Sequence, residues 1–241
     1  MVLIVAGAYV VYGLTGFGST VVAMPLLAQV LSLKFAVPLM LLLDFAAFLL
    51  VGMRFRRGIR YAEAGLLLPF MLAGMALGLT VLIQVAEQRL LAGLGAFVLV
   101  YAAYGLSRRG RHLSLARWWS APIGLAGGAF SALFGTGGVL FAIYTSGRIR
   151  DKAALRATNA AMIMLSSLVR VVLFGATGLL FQDGLIRFAL LLVPAVLVGF
   201  YVGNRLHAEV PAAGVVRVVY ALLVVGGLSL LARAAVAGLA A

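Results

Sequence analysis

Apolar residues run along this chain in long blocks, and the polar positions that interrupt them are of two kinds. Charged clusters fall between blocks, where they mark loops, whereas glycine and hydroxyl residues fall inside two of the blocks. A helix of about 20 apolar residues matches the roughly 30 Å of bilayer hydrocarbon at the α-helical rise. On that measure the pattern predicts six spans, at 35–53, 64–85, 90–106, 157–174, 185–206 and 212–231. Two further stretches, 2–31 and 121–144, are apolar at both ends and broken in the middle. The runs are continuous and lack the two-residue alternation of a membrane β-barrel, so the predicted class is an all-α polytopic membrane protein.

The breaks read GLTGFGSTVVAMP from Gly13 to Pro25 and LFGTGGVL from Leu133 to Leu140. Each arm beside a break has only about ten to fourteen residues, too few to span on its own. Irregular backbone at membrane depth is tolerated only where it is buried in protein or lines a cavity. Paired interruptions in corresponding positions of two halves point to a transporter binding site. The halves do match: Pro69, Leu72, Gly74 and Gly78 align with Pro194, Leu197, Gly199 and Gly203, and Ala86-Glu87 through Gly105-Leu106 aligns with Ala208-Glu209 through Gly227-Leu228. Small residues four apart, as in Gly74/Gly78 and Gly199/Gly203, let helices approach closely, and packing is the role expected of them.

Charge chooses between two topologies. If each broken stretch is a hairpin that returns to its own side, thirteen Lys and Arg residues gather on one face and four, Lys34, Arg89, Arg187 and Arg233, on the other. A single crossing by each stretch gives a weaker bias, so the positive-inside rule favours re-entrant hairpins. The expected architecture is therefore two inverted repeats, each a broken hairpin followed by three transmembrane helices. The first repeat is 1–107 with its hairpin at 2–31, the second is 121–241 with its hairpin at 121–144, and 108–120 is a basic cytoplasmic linker. Both termini are expected outside. No basic segment precedes the first apolar run, which reads as mature structure and not as a signal peptide.

Composition agrees with this class and narrows the function. The 241 residues are 65% hydrophobic and 10% charged, with a mean hydropathy of +1.18, far from the roughly 25% charged of soluble domains. A net charge of +13 would suggest nucleic acid in a soluble protein; here the basic residues sit in short loops, as orientation signals and lipid head-group contacts require, so the bilayer is the expected partner and nucleic acid is not. Trp118-Trp119 suit the interfacial belt. There is no cysteine, so disulfides and thiolate metal sites are excluded. No Walker loop is present, His112 and His207 fall in loops, and no histidine accompanies Ser19 or Ser131 in the apolar core. Neither an enzyme nor a bound cofactor or metal is expected.

The candidate chemistry is anion binding. At the breaks, backbone N–H groups of Gly16, Gly18, Gly135, Gly137 and Gly138 and the hydroxyls of Thr15, Ser19, Thr20 and Thr136 can bond an anion at the positive end of the following helix arm. The span 157–174 carries Thr158, Asn159, Ser166, Ser167 and Arg170. Asn159, Ser166 and Arg170 are seven and four apart, hence on one helix face. Arg170 on that face either grips an oxyanion bidentately or reaches for the outer head groups. Asp44, a carboxylate within a span, is a candidate for a coupling proton, for a pair with Arg170, or for a structural partner.

With these residues in hand, the chain resembles the TauE/SafE family of sulfite exporters and anion permeases. The likeness rests on Gly13 to Pro25, on GGAFSALFGTGGVL from Gly127 to Leu140, and on Arg156-Ala157-Thr158-Asn159. The family's Gly-x-Gly-Gly-Gly run is here Gly16-Phe17-Gly18-Ser19-Thr20 and Gly135-Thr136-Gly137-Gly138-Val139, with the third glycine of the triplet replaced in both and the second replaced by Ser19 in the first. The mate of Ala157-Thr158-Asn159 in the first half is Val37-Pro38-Leu39, so the two halves are not chemically equivalent. The resemblance implies export or uptake of small sulfur-containing anions such as sulfite or organosulfonates. Together with the paired breaks, the expectation is a secondary transporter of the bacterial inner membrane, an exporter working by alternating access, with a proton as the candidate coupling ion. The alternatives from the residues alone are a channel-like anion pore and a membrane scaffold subunit that transports nothing.

Overall fold

A computed structural model describes residues 1–15, 18–51, 58–107, 114–206 and 212–239, apart from the side chains at 15, 48–51, 152, 212–218 and 237–239. The expectations placed on the Thr15 side chain, Gly16, the basic loop residues at 54–57 and 108–111, the Lys152 side chain, His112 and His207 lie outside the described residues. Most of those described are helical, with no strand among them. The helices are α1 (Val2–Thr15), α2 (Ser19–Leu27), α3 (Leu33–Val51), α4 (Tyr61–Gln84), α5 (Glu87–Ser107), α6 (Ser120–Phe134), α7 (Gly137–Arg148), α8 (Lys152–Ala176), α9 (Leu185–Leu206) and α10 (Ala212–Leu239). Among the described residues, five are long and apolar enough to cross a membrane: Tyr61–Gln84, Glu87–Ser107, Ala153–Ala176, Leu185–Leu206 and Val219–Val236.

Local chemistry sets the ends. Asp151 caps α8 by accepting from the Ala154 N–H at 2.6 Å, as an N-terminal carboxylate does. The start of α3 borrows its cap from another helix, the Leu33 N–H donating to Glu87 Oε1 at 3.0 Å. Both breaks turn on a left-handed glycine, Gly18 at φ 92° and Gly135 at φ 72°, a conformation costly for any residue with a Cβ.

The described chain divides into two compact units that do not follow the repeat boundaries. One holds Met1–Ala36, Gln84–Arg111 and Arg187–Ala241; the other holds Val37–Ile83 and His112–Ile186. Each unit therefore draws helices from both halves of the sequence. The reason is the glycine pairs. In the second unit, a Cβ on Gly74 would lie 2.0 Å from the Leu125 carbonyl oxygen and one on Gly78 2.4 Å from that of Ala129, so α4 seats backbone to backbone on α6. In the first unit the same arrangement recurs: a Cβ on Gly199 would run into the Ala6 carbonyl and one on Gly203 into that of Val10, so α9 seats on α1. Close approach of this kind replaces the hydrophobic drive that lipid cannot supply.

Within the first unit α5 and α10 run antiparallel, Gly105 facing Tyr220, Gly227 facing Leu99 and Gly95 facing Leu231. α2 lies on α10 through Pro25 and Gly226. Leu190, Leu191, Val198 and Tyr201 along α9 are exposed, an apolar surface that only lipid solvates well.

Within the second unit the second broken stretch folds back on itself. Gly127 faces Phe141 and Ser131 faces Gly137, the register of two antiparallel arms. Its ends meet as well: the Leu115 N–H donates to the Gly147 carbonyl at 3.1 Å, and Arg148 Nη1 donates to the Leu115 carbonyl at 3.2 Å. The arms, 15 and 12 residues long, rise about 22 and 18 Å, short of a bilayer's hydrocarbon thickness.

Candidate functional site

The tip of the α6–α7 hairpin stands halfway along α8. Gly138 faces Ile163, and the Ser131 and Ser166 hydroxyls are in hydrogen-bond contact. Ile163 lies about 17 Å along a 25-residue helix that rises roughly 36 Å in all. Polar groups at the tip are therefore far from both ends of the span.

α7 begins there, and among the described residues the Gly137 and Gly138 amides at its start have no acceptor. The Gly135 N–H bonds the Ser131 carbonyl at 2.9 Å, the Thr136 N–H that of Phe130 at 3.3 Å, and the Val139 N–H that of Thr136 at 3.3 Å. Gly137 and Gly138 occupy the first positions of the helix, where N–H groups have no intrahelical acceptor. Thr136, at the N-cap position, makes no side-chain cap. It is 1% exposed, and its Oγ1 has no hydrogen-bond partner among the described residues. Buried polar atoms are otherwise nearly always bonded. This end of α7 carries the positive pole of the helix dipole, so it favours an anion.

On α8, Arg170 is one turn beyond Ser166, about 6 Å further from the end where α7 and α8 join. At 2% exposure it is buried in the protein, and its Nη2 donates to Ser167 Oγ at 3.1 Å. Asn159, 6% exposed, lies on the same face toward the other end, and its Oδ1 has no partner among the described residues. The Thr158 hydroxyl has a structural engagement, accepting the Arg60 N–H at 2.9 Å and so tying the start of α4 to α8. Asp44 is half-buried on α3. In the other unit Gly18 precedes α2, and Ser19 and Thr20 in its first turn are buried. Each unit thus holds its own share of the residues singled out from the sequence.

Two groups of residues emerge only in the structure. Ser131 meets Ser166 from the last turn of α6; its hydroxyl in an apolar arm was the available signal. At the mouth of the same hairpin Glu63, in the first turn of α4, accepts from Arg148 Nη2 at 2.8 Å, from Arg148 Nε at 3.3 Å and from the Tyr144 hydroxyl at 2.9 Å. The pair is largely shielded from solvent, with side-chain exposures of 24% for Arg148 and 13% for Glu63. Opposite charges just outside two spans hinted at it, but 85 residues separate them.

Apolar helices long enough to cross a membrane, with a glycine-turned hairpin whose tip stands halfway along α8, define a polytopic membrane protein of the transporter class. The chain belongs to the sulfite exporter TauE/SafE family, whose model matches residues 1–230. It is a membrane transporter of that type and not an enzyme, and membership implies a small anionic substrate and a bilayer environment. It is also 31% identical over 196 residues, 80% of this chain and 81% of the relative, to "Probable inner membrane transporter protein TsaS" of Comamonas testosteroni. No solved structure matches the chain.

Proposed function

We propose that this protein exports small sulfur-containing anions, of the sulfite or organosulfonate class, across a bacterial inner membrane by alternating access. The observation that carries the reading is the amino end of α7 at half the depth of α8, with unpartnered Thr136 Oγ1 beside it and buried Arg170 one turn beyond. Neutral N–H and O–H donors with a single guanidinium suit a small oxyanion that must be released again on the other side. On this reading Gly135, Thr136, Gly137, Gly138, Thr158, Asn159, Ser166 and Arg170 form the substrate site from the second half, Thr158 also tying α4 to α8. Thr15, Gly16, Gly18, Ser19 and Thr20 contribute from the first half, and Asp44 carries a coupling proton.

The two halves, 1–107 and 121–241 joined by 108–120, act as inverted repeats with both termini outside. Supporting this, the glycine pair of each half seats on the first hairpin arm of the other with the same four-residue spacing. Rocking of such paired elements about a central site is the usual route to alternating access. That the Comamonas testosteroni relative is described as a probable inner membrane transporter supports the location.

The test is uptake of labelled sulfite and of sulfoacetate into liposomes holding the purified protein, with and without a pH gradient. Saturable uptake with counterflow is expected. Flux without saturation or counterflow would replace the carrier with a pore, and no flux of either anion under any gradient would overturn the reading.

A further inference from the structure

Several helical hydroxyls of this chain bend back onto their own helix. Thr80 donates to the Ala76 carbonyl, Ser107 to Ala103, Thr145 to Phe141, Ser146 to Ile143 and Thr177 to Leu173. That is the ordinary resting place of a hydroxyl in an apolar helix, since it satisfies the donor without a partner from elsewhere. Ser131 and Ser166 do otherwise: their oxygens bond each other between α6 and α8, and each residue is 2% exposed.

Two hydroxyls hold two hydrogens, and the bond between them uses one. One O–H of the pair therefore remains to be donated, in a place from which water is excluded and where an unmade bond is costly. Its surroundings suggest the acceptor. Ser131 stands against Gly137, the first residue of α7; a Cβ on that glycine would lie 2.6 Å from the Ser131 Cβ. Thr136, immediately before, holds a further hydroxyl with no partner among the described residues. The spare hydrogen is thus beside the helix end that favours an anion.

We propose that Ser166 and Ser131 form a two-hydroxyl relay, the Ser166 O–H donating to Ser131 Oγ and the Ser131 O–H to the bound anion, which makes Ser131 a substrate-positioning residue. The assignment rests on the reading of the α7 amino end as the anion site. The relay has a direction. Ser131 is the terminal donor because it adjoins Gly137, and Ser166 orients and polarises it from α8.

The experiment measures anion affinity by thermal unfolding of purified protein with sulfite or sulfoacetate, and KM and maximal rate in liposomes, for the wild type, Ser131→Ala, Ser131→Thr, Ser131→Cys, Ser166→Ala and the double Ala variant. Loss of the terminal donor weakens affinity and raises KM roughly tenfold, the scale of a hydrogen bond to a charged group. The maximal rate stays within about twofold. Ser131→Thr keeps the oxygen and stays near the wild type, while Ser131→Cys, a weaker donor, falls between. Ser166→Ala weakens binding by about threefold, and the double variant is no worse than Ser131→Ala, because the two act as one donor. Ser131→Thr and Ser131→Cys carry the test if Ser131→Ala does not fold. A wild type that binds while every Ser131 variant binds within twofold of it, or an additive double variant, overturns the relay alone. A wild type that neither anion stabilises and that moves neither overturns the anion site, and the relay with it.

Discussion

The two broken stretches of this protein share a plan and differ in chemistry. Each ends its first arm near glycine, each has a buried second arm, and each first arm receives a glycine pair from a helix of the opposite half. The turns are nevertheless distinct. In the first, left-handed Gly18 immediately precedes α2; in the second, left-handed Gly135 closes α6 and Thr136 follows before α7 begins. The mouths differ too. The end of α2 is held by Arg233, whose Nη1 donates to the Ala28 carbonyl at 2.6 Å, whereas the end of α7 is held by Arg148, forked onto Glu63 and bonded to Leu115. The helix after the second hairpin carries Thr158, Asn159, Ser166, Ser167 and Arg170; the one after the first has Val37, Pro38 and Leu39 at the corresponding start. Backbone packing is thus repeated, while most of the side chains proposed to bind the substrate fall in one half. Packing contacts depend on the absence of side chains and survive in duplicate, but a single small anion needs only one set of charged donors.

The largest effects should appear where the halves are alike. Gly74→Leu and Gly199→Leu each force a side chain into a carbonyl of the facing helix, and overpacking of this kind should lower the melting temperature by at least roughly 5–10 °C. Thermal unfolding of the two purified variants checks it. A large loss for one and none for the other would break the equivalence of the two contacts.

Next is the site, where the halves should diverge. Arg170→Ala removes a charge-assisted bond and should reduce sulfite affinity about 10- to 100-fold. Thr20→Val, in the first hairpin, should cost no more than about tenfold. Binding isotherms for both variants sharpen the comparison, and equal losses would mean that both halves grip the anion alike.

The mouths supply the smallest effects. Glu63→Gln leaves the Arg148 guanidinium without its carboxylate and should lower stability by about 1–3 kcal/mol. Arg233→Ala removes one bond to a helix-end carbonyl and should cost about 0.5–1.5 kcal/mol. Melting temperatures in the same detergent rank the two; a larger loss for Arg233→Ala would reverse the assignment of the stronger clasp.

Much of this was legible from residue order. The span expected at 185–206 is α9, Leu185–Leu206, and that at 64–85 is α4, Tyr61–Gln84, because length and hydropathy are set by the bilayer and not by neighbours. Gly18 and Gly135 announced turns, since no other residue enters a left-handed bend cheaply. The site was legible only as a collection. Arg170, Ser166 and Asn159 could be placed on one face of α8 by helical spacing, but the contact of Ser166 with Ser131 joins residues 35 apart through a hydroxyl that any helix could have kept to itself. Thr158 resembled the others in sequence and proved to hold the Arg60 N–H.

Residue order alone thus settled that this chain is a helical membrane protein broken twice at glycine, and its likeness to a transporter family. Both follow from local quantities: apolar run length, backbone permissiveness and a short motif. Which helix received each glycine pair, that the compact units would draw on both halves, and that Glu63 would find Arg148 were decided by folding. Those outcomes depend on carbonyls and side chains meeting across long stretches of chain, and in lipid, where every apolar face is equally welcome, hydropathy carries no information about which faces will meet.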